Sequence, residues 1–370
     1  MAILRPMAKI KSPICLSFKP PSALRQWTHI SNMLPLACLA GDLKSSASVA
    51  DLILTMGLKL FVSVFIFLML ACCCPAPGFA FNAGTWKTAQ TIQPFFYDRF
   101  TGAGKNVKVF SFTNPADQKT ALMAGNLDIC GTTIAHAIHS ASLGQPVVVV
   151  AALCNKSSAF VVAADSPVRS PADLKGKKIG YVPGTMHEIL LRETLIRSGL
   201  SPDREVALTR VDFFDMGLAL ARGGIDAFVS GEPFPTIAVI KGYGRILSYP
   251  YYGESIGTIN AGMLVTRNSV EKNHGLVLEM VRAHARATRL LKQDRQLWLT
   301  KASEFGTPMK ILAGAAHNME LAWDMDPDFV EKAQALGERM QALGLIQDQP
   351  DYSRLFDLSF VDQIRAEIGD

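Results

Sequence analysis

Between Ser170 and Leu200 the chain reads SPADLKGKKIGYVPGTMHEILLRETLIRSGL, and this stretch constrains the fold more than any other. Ser170 and Pro171 open a helical turn, serine as a cap and proline at the first helical position. Lys175-Gly176-Lys177-Lys178 turns the chain into a strand over 179–182. Pro183-Gly184-Thr185 ends that strand, and Ile189, Leu190, Leu191, Leu195 and Ile196 mark a helix running to Gly199. Gly184 and Thr185 thus fall where backbone N–H groups lie unpaired at a helix N-terminus, a position suited to an anion or a carbonyl oxygen. Strand–loop–helix units recur in every α/β domain, so the neighbouring segments must decide what this one does.

A second junction of the same kind lies upstream. Leu127-Asp128-Ile129-Cys130 is a short buried strand, and Gly131-Thr132-Thr133 leads into a helix over 134–142. PVVVVAAL at 146–153 is a β-branched run of the sort found in a strand covered on both faces. Strands are expected at 106–112, 159–163, 205–211, 225–229 and 261–266, with a helix over 214–221 closed by Arg222-Gly223-Gly224. The strand at 225–229 delivers Gly231-Glu232-Pro233-Phe234 at its carboxyl end. From Ser269 onward the pattern is helical, including a long amphipathic segment at 270–299 that carries His274 and His284.

Charge and cysteine separate a leader from the rest. Residues 1–80 hold seven of the 37 Lys/Arg and two of the 32 Asp/Glu, so residues 81–370 carry 30 of each sign. The net charge of +5 belongs to that leader, and nothing in the remainder forms a basic face for nucleic acid. Five of the seven cysteines also precede residue 81. The apolar run at 60–71, flanked by Lys59, has the length of a signal-peptide core. Cleavage after Gly78-Phe79-Ala80 is favoured. Lipidation of Cys72 in Leu68-Met69-Leu70-Ala71-Cys72 is the alternative, and an uncleaved anchor helix is a third. Cys130 and Cys154 remain, either as buried thiols or, if their strands are neighbours, as a disulfide.

LDICGTT, VVVVAAL, SPADLKGKKIGYVPGT and ALARGGIDAFVSGEPF, in this order and spacing, resemble bacterial solute-binding proteins of the alkanesulfonate, taurine and nitrate group. Thiamine-precursor synthases share that domain. The resemblance covers about 85–360. It implies a periplasmic-binding-protein type II α/β fold, two lobes joined by two hinge crossovers with a helical C-terminal part, closing on a small polar or anionic solute. It also implies delivery to a membrane ABC permease with its ATPase, location in the periplasm, no cofactor and action as a monomer. Lobe one is expected at 85–167 plus 258–370 and lobe two at 168–257, with the first crossover near Pro167 and Ser170 and the second at 253–260.

Ligands of open α/β sheets bind outside the carboxyl ends of strands, which nominates Gln93, Thr132, Thr133, Gly184, Thr185, His187 and Glu232, with Asn155, Ser157 and Ser158 adding polar contacts. Capping alone serves each threonine equally well, and Glu232 has an alternative use in anchoring the Pro233 turn. His136 and His139, three apart on one helix, lack a third metal ligand and read as solvated. Lys156 is the nearest basic residue to the loops. No nucleophile, base and orienting acid occur in a catalytic arrangement, which favours a binding protein. An enzyme like the precursor synthases would carry a cysteine-rich motif within its domain, and here the cysteine cluster lies in the leader. A sensory ligand-binding protein is the third reading.

Overall fold

A computed structural model of the chain describes residues 80–102, 106–252 and 257–369, all within the compact unit 77–370. The leader, its cleavage sites and Cys72 lie outside the described residues. Two sheets form the frame. The first contains β1 (Ala80–Trp86), β2 (Asn106–Phe112), β3 (Ile129–Thr133), β4 (Val147–Lys156), β10 (Ala261–Thr266) and β11 (Met319–Leu321) in the order β11-β4-β10-β3-β1-β2. The second contains β5 (Ser158–Ala163), β6 (Lys178–Tyr181), β7 (Ala207–Arg210), β8 (Ala227–Gly231) and β9 (Gly244–Ser248) in the order β7-β6-β8-β5-β9.

Hydrophobic pattern explains both. In β4 the first eight residues are buried, so it sits between β10 and β11 with helices on its faces. In β5 the sides alternate: Phe160 and Val162 join Leu174, Leu191 and Leu195 in one core, while Val161 joins Met216, Leu220 and Phe228 in another. That period of two is the pleat itself, and it places α3 (Met186–Arg197) on one face of the second sheet and α4 (Phe213–Ala221) on the other. The helices α1 (Pro115–Met123) and α2 (Ile134–Ser142) flank β3, whereas α5 (Phe234–Ile240) follows β8. The C-terminal part is helical from α6 (Arg267–Lys272) and α7 (His274–Gln293) onward, through α8 (Arg295–Ser303), α9 (Met309–Ala315), α10 (Pro327–Ala342), α11 (Tyr352–Leu355) and α12 (Ser359–Ile368). Helix α7 seats His284 against the first sheet: its Nε2 donates to Ala152 O at 2.8 Å, and its Nδ1 accepts from the Tyr97 hydroxyl at 3.0 Å.

The chain passes from the first sheet to the second at Ser157, between β4 and β5, and returns between β9 and β10. The first passage therefore precedes β5, not the 167/168 boundary expected from the sequence. Its signal was the polar Asn155-Lys156-Ser157-Ser158 stretch. Lys156 and Ser157 have φ of 54° and 82°, the left-handed region that non-glycine residues avoid. Bonds fix them there: Glu232 N donates to Ser157 O at 2.8 Å, and Asn260 Nδ2, from the returning passage, donates to Lys156 O at 2.6 Å. Lys156 itself pairs with Glu320 at 3.1 Å. Strands β9 and β11 are additions to the sequence reading.

Cys130 and Cys154 are free and buried. Strand β10 lies between theirs, with Cys130 opposite Leu264 and Cys154 opposite Ala261. Two strand spacings of about 4.8 Å exceed the Cα separation a disulfide spans. Burial pushes both thiols up, Cys154 to about 12.

Candidate functional site

The carboxyl ends of β1, β2, β3 and β8 converge on a cleft between the sheets with about 460 Å³ of empty space, counting solvent at its mouth. The first sheet supplies Trp86, Lys87, Thr88 and Gln90 after β1, Phe112 and Thr113 from the end of β2, Thr133 from β3, and Asn260 ahead of β10. The second supplies His187 in the first turn of α3, Phe213 and Phe214 at the start of α4, Gly231 and Glu232 after β8, and Phe234.

Aromatic side chains dominate this lining. Phe213 and Phe234 lie parallel with centroids 6.2 Å apart. His187 meets Phe213 edge-on at 5.5 Å, and Phe214 meets Phe234 edge-on at 4.9 Å. Trp86 is buried and its Nε1 has no hydrogen-bond partner. Gly231 lets these side chains approach closely, since a Cβ there would lie 3.0 Å from His187 Nε2 and 3.2 Å from Gln90 Nε2 and would push them back by a few tenths of an ångström.

Of the residues nominated from sequence, Thr133, His187 and Glu232 line the cleft. Thr133 also caps α2, accepting His136 N–H at 3.2 Å. His187 Nδ1 is 2.9 Å from Ser158 Oγ, and burial lowers the imidazole to about 4, so the ring is neutral at neutral pH. Glu232 is fully buried. Its carboxylate receives Thr236 N–H at 3.2 Å and Asn318 Nδ2 at 3.4 Å, and burial raises it. Ser157 and Ser158 stand one layer back: Ser157 Oγ bonds Gln90 Oε1 and receives Glu232 N–H, and Ser158 holds His187.

The others are placed elsewhere. Gln93 Nε2 donates to Leu153 O at 2.8 Å, tying a short 3₁₀ segment to β4. Asn155 bonds Glu320 at 3.3 Å. Thr132 is buried, with an unpartnered hydroxyl. Thr185 donates to Val182 O at 2.8 Å and caps α3, and Gly184 N donates to Glu188 Oε2 at 2.7 Å. His136 packs on Gly184 and is lowered to about 4 by burial, then by Lys119 and His139. Among the described residues no group of three or more His, Cys, Asp or Glu is arranged for a metal.

Sequence reasoning overlooked the aromatic lining and Gln90 and Asn260. The available signal was an aromatic residue at the ends of β1 and β2, Trp86 and Phe112, and within a few residues after the ends of β7 and β8, the Phe213-Phe214 pair and Phe234.

Comparison with known proteins agrees with this architecture. The model of the family described as NMT1/THI5 like matches residues 98–296. An Escherichia coli protein carrying the provisional name of an aliphatic sulfonates-binding protein is 26% identical over 196 residues, 52% of this chain and 60% of that protein. A Schizosaccharomyces pombe enzyme, 4-amino-5-hydroxymethyl-2-methylpyrimidine phosphate synthase, is 28% identical over 128 residues, 33% of this chain and 37% of the enzyme. The matches thus span less than two thirds of these relatives' lengths. The alkanesulfonate-binding protein SsuA of Xanthomonas axonopodis pv. citri, bound to MOPS, superposes with a TM-score of 0.67 at 20% identity, covering 76% of this chain and 99% of that one. The periplasmic nitrate-binding protein NrtA of Synechocystis PCC 6803 gives 0.66 at 14% identity, covering 80% and 90%. The fold is that of the two-sheet periplasmic binding proteins, with a helical C-terminal region.

Proposed function

This chain belongs to the NMT1/THI5-like family, and on that footing we propose that it is the solute-binding component of an ABC import system. It would work outside the cytoplasm, close its two sheets on a small solute and present that solute to a membrane permease. The observation that carries this reading is a cleft lined from both sheets at strand carboxyl ends, beside two chain passages joined by Asn260 and Lys156. Relatives named for sulfonates and nitrate make small anions the first class to test.

A binding role fits the cleft better than catalysis. The Ser158–His187 pair is the nearest thing to a nucleophile and base, but Ser158 does not line the cleft, and the hydrogen bonds of His187 include no carboxylate to orient its ring. Binding to the folded state raises its stability by mass action. A thermal-shift series over sulfonates, nitrate, carboxylates, pyrimidines and amines should therefore contain at least one compound that raises the unfolding temperature saturably. A flat series removes the reading, and turnover of a bound compound by purified protein would replace it with an enzyme.

A further inference from the structure

We infer that the solute is a small organic cation with an apolar or aromatic body, such as a protonated amine or a cationic nitrogen ring, rather than an organic anion. The inference rests on the solute-binding reading above and names the solute's chemistry.

Glu232 carries the argument. It is fully buried at the cleft, and its hydrogen-bond donors, Thr236 N–H and Asn318 Nδ2, are neutral. Among the described residues no lysine or arginine forms an ion pair with it, and the basic side chain whose charge acts on it is the exposed His317, itself bonded to Tyr249 and Gly314 O. A buried carboxylate without a counter-charge is costly, and a cationic solute supplies that charge.

The walls agree. Trp86, Phe112, Phe213 and Phe234 line the cleft, and an ammonium or cationic ring is attracted to aromatic rings most strongly where water is excluded. A neighbouring space that shares Thr113, Phe213 and Phe214 with the cleft is bordered by Asp212 and Asp215. Lys87 is the one Lys or Arg among the cleft's lining residues, and it is exposed. An anion would have to displace or neutralise the buried Glu232. The unpartnered Trp86 Nε1–H leaves a donor for one acceptor atom on the solute.

Matched probes test this. Benzylammonium and tetramethylammonium are compared with benzenesulfonate, nitrate and neutral benzyl alcohol by calorimetry and thermal shift on the full chain at pH 7. At least one cation should bind saturably, and benzenesulfonate should not. Glu232→Gln, which keeps size and hydrogen bonding, should weaken cation binding about tenfold or more, as expected on removing a desolvated charge partner. Should that variant fail to fold, Asp212→Asn with Asp215→Asn changes exposed residues and should slow cation association and flatten its salt dependence. Binding of benzenesulfonate or nitrate without the cations overturns the inference and leaves the solute-binding reading standing. Equal cation affinity in Glu232→Gln, or preference for benzyl alcohol, also overturns it and indicates a protonated Glu232. If neither cation binds the inference falls. The broader reading falls only if no compound in the wider series binds.

Discussion

Gly184 shows how one residue can join the two halves of the cleft region. Its φ is +74°, and a Cβ would lie 2.5 Å from Nε2 of His136, which reaches it from α2 of the other sheet. Both the backbone and the contact therefore resist a side chain. Gly184→Ala should cost about 1–3 kcal/mol, measured by urea unfolding. Adding His136→Ala should recover the contact part and leave the φ part, so a fully additive double variant would contradict this account. The buried histidines give a second residue-scale expectation. His136, His187 and His284 are each lowered to about 4, chiefly by burial. The unfolded chain then binds more protons than the folded one between their ordinary value and 4. Stability should be level above pH 6.5 and fall as pH drops from there to 4, by up to about 3 kcal/mol per histidine. Unfolding free energies across that range check it, and His284→Gln should make the fall shallower.

At the scale of elements, α10 is tied to the second sheet's helix α3. Glu193 on α3 is buried and receives both Arg197, at 2.5 Å, and Arg339 from α10. Arg339→Gln leaves Arg197 in place and should cost about 1–3 kcal/mol, the range for a bond to a buried charge, again read by denaturant midpoint. Such ties were beyond the sequence, because a partner 146 positions away leaves no local pattern. The strands with strong patterns were legible: Val147–Leu153 for burial on both faces, and the Gly-Thr junctions at 131–133 and 184–185 for strand-to-helix turns. Short strands such as Gly244–Ser248 and Met319–Leu321 were not, since three to five residues carry little periodicity. The site divides on the same line. Glu232, His187 and Thr133 were visible as polar groups at strand ends and helix starts. Thr185 obeyed the same rule, yet its hydroxyl is spent on Val182 O and the cap. Aromatic residues were passed over because a Phe at a strand end reads equally well as core.

At the scale of the molecule, the relation between the sheets depends on a few groups beside the two passages. Asn318, on the stretch between α9 and β11, belongs to the first sheet's side. Its Nδ2 donates to Ser158 O at 3.2 Å and to Glu232 at 3.4 Å, and its Oδ1 accepts from the Tyr251 hydroxyl at 2.5 Å. Both Ser158 and Glu232 belong to the second sheet's side, and Tyr251 lies in the returning passage. One amide thus links both sheets and the passage. Asn318→Ala should remove this link and leave Glu232 with one donor fewer, costing about 1–3 kcal/mol, while the Tyr251 hydroxyl, 3.0 Å from Ser158 O, still serves that acceptor. It should also separate closure from stability. If the link favours the arrangement seen here, small-angle scattering of the variant should show a larger radius of gyration than the parent at equal temperature below unfolding. Solute affinity should fall with the population of the binding-competent arrangement. A variant that loses stability with unchanged dimensions and affinity would reduce Asn318 to a core hydrogen bond. Tyr251→Phe discriminates further. It keeps the ring and both Asn318 donor bonds while removing the hydroxyl, which also accepts Ser158 N–H at 2.9 Å, so it should lower stability by a similar amount yet leave the dimensions close to those of the parent.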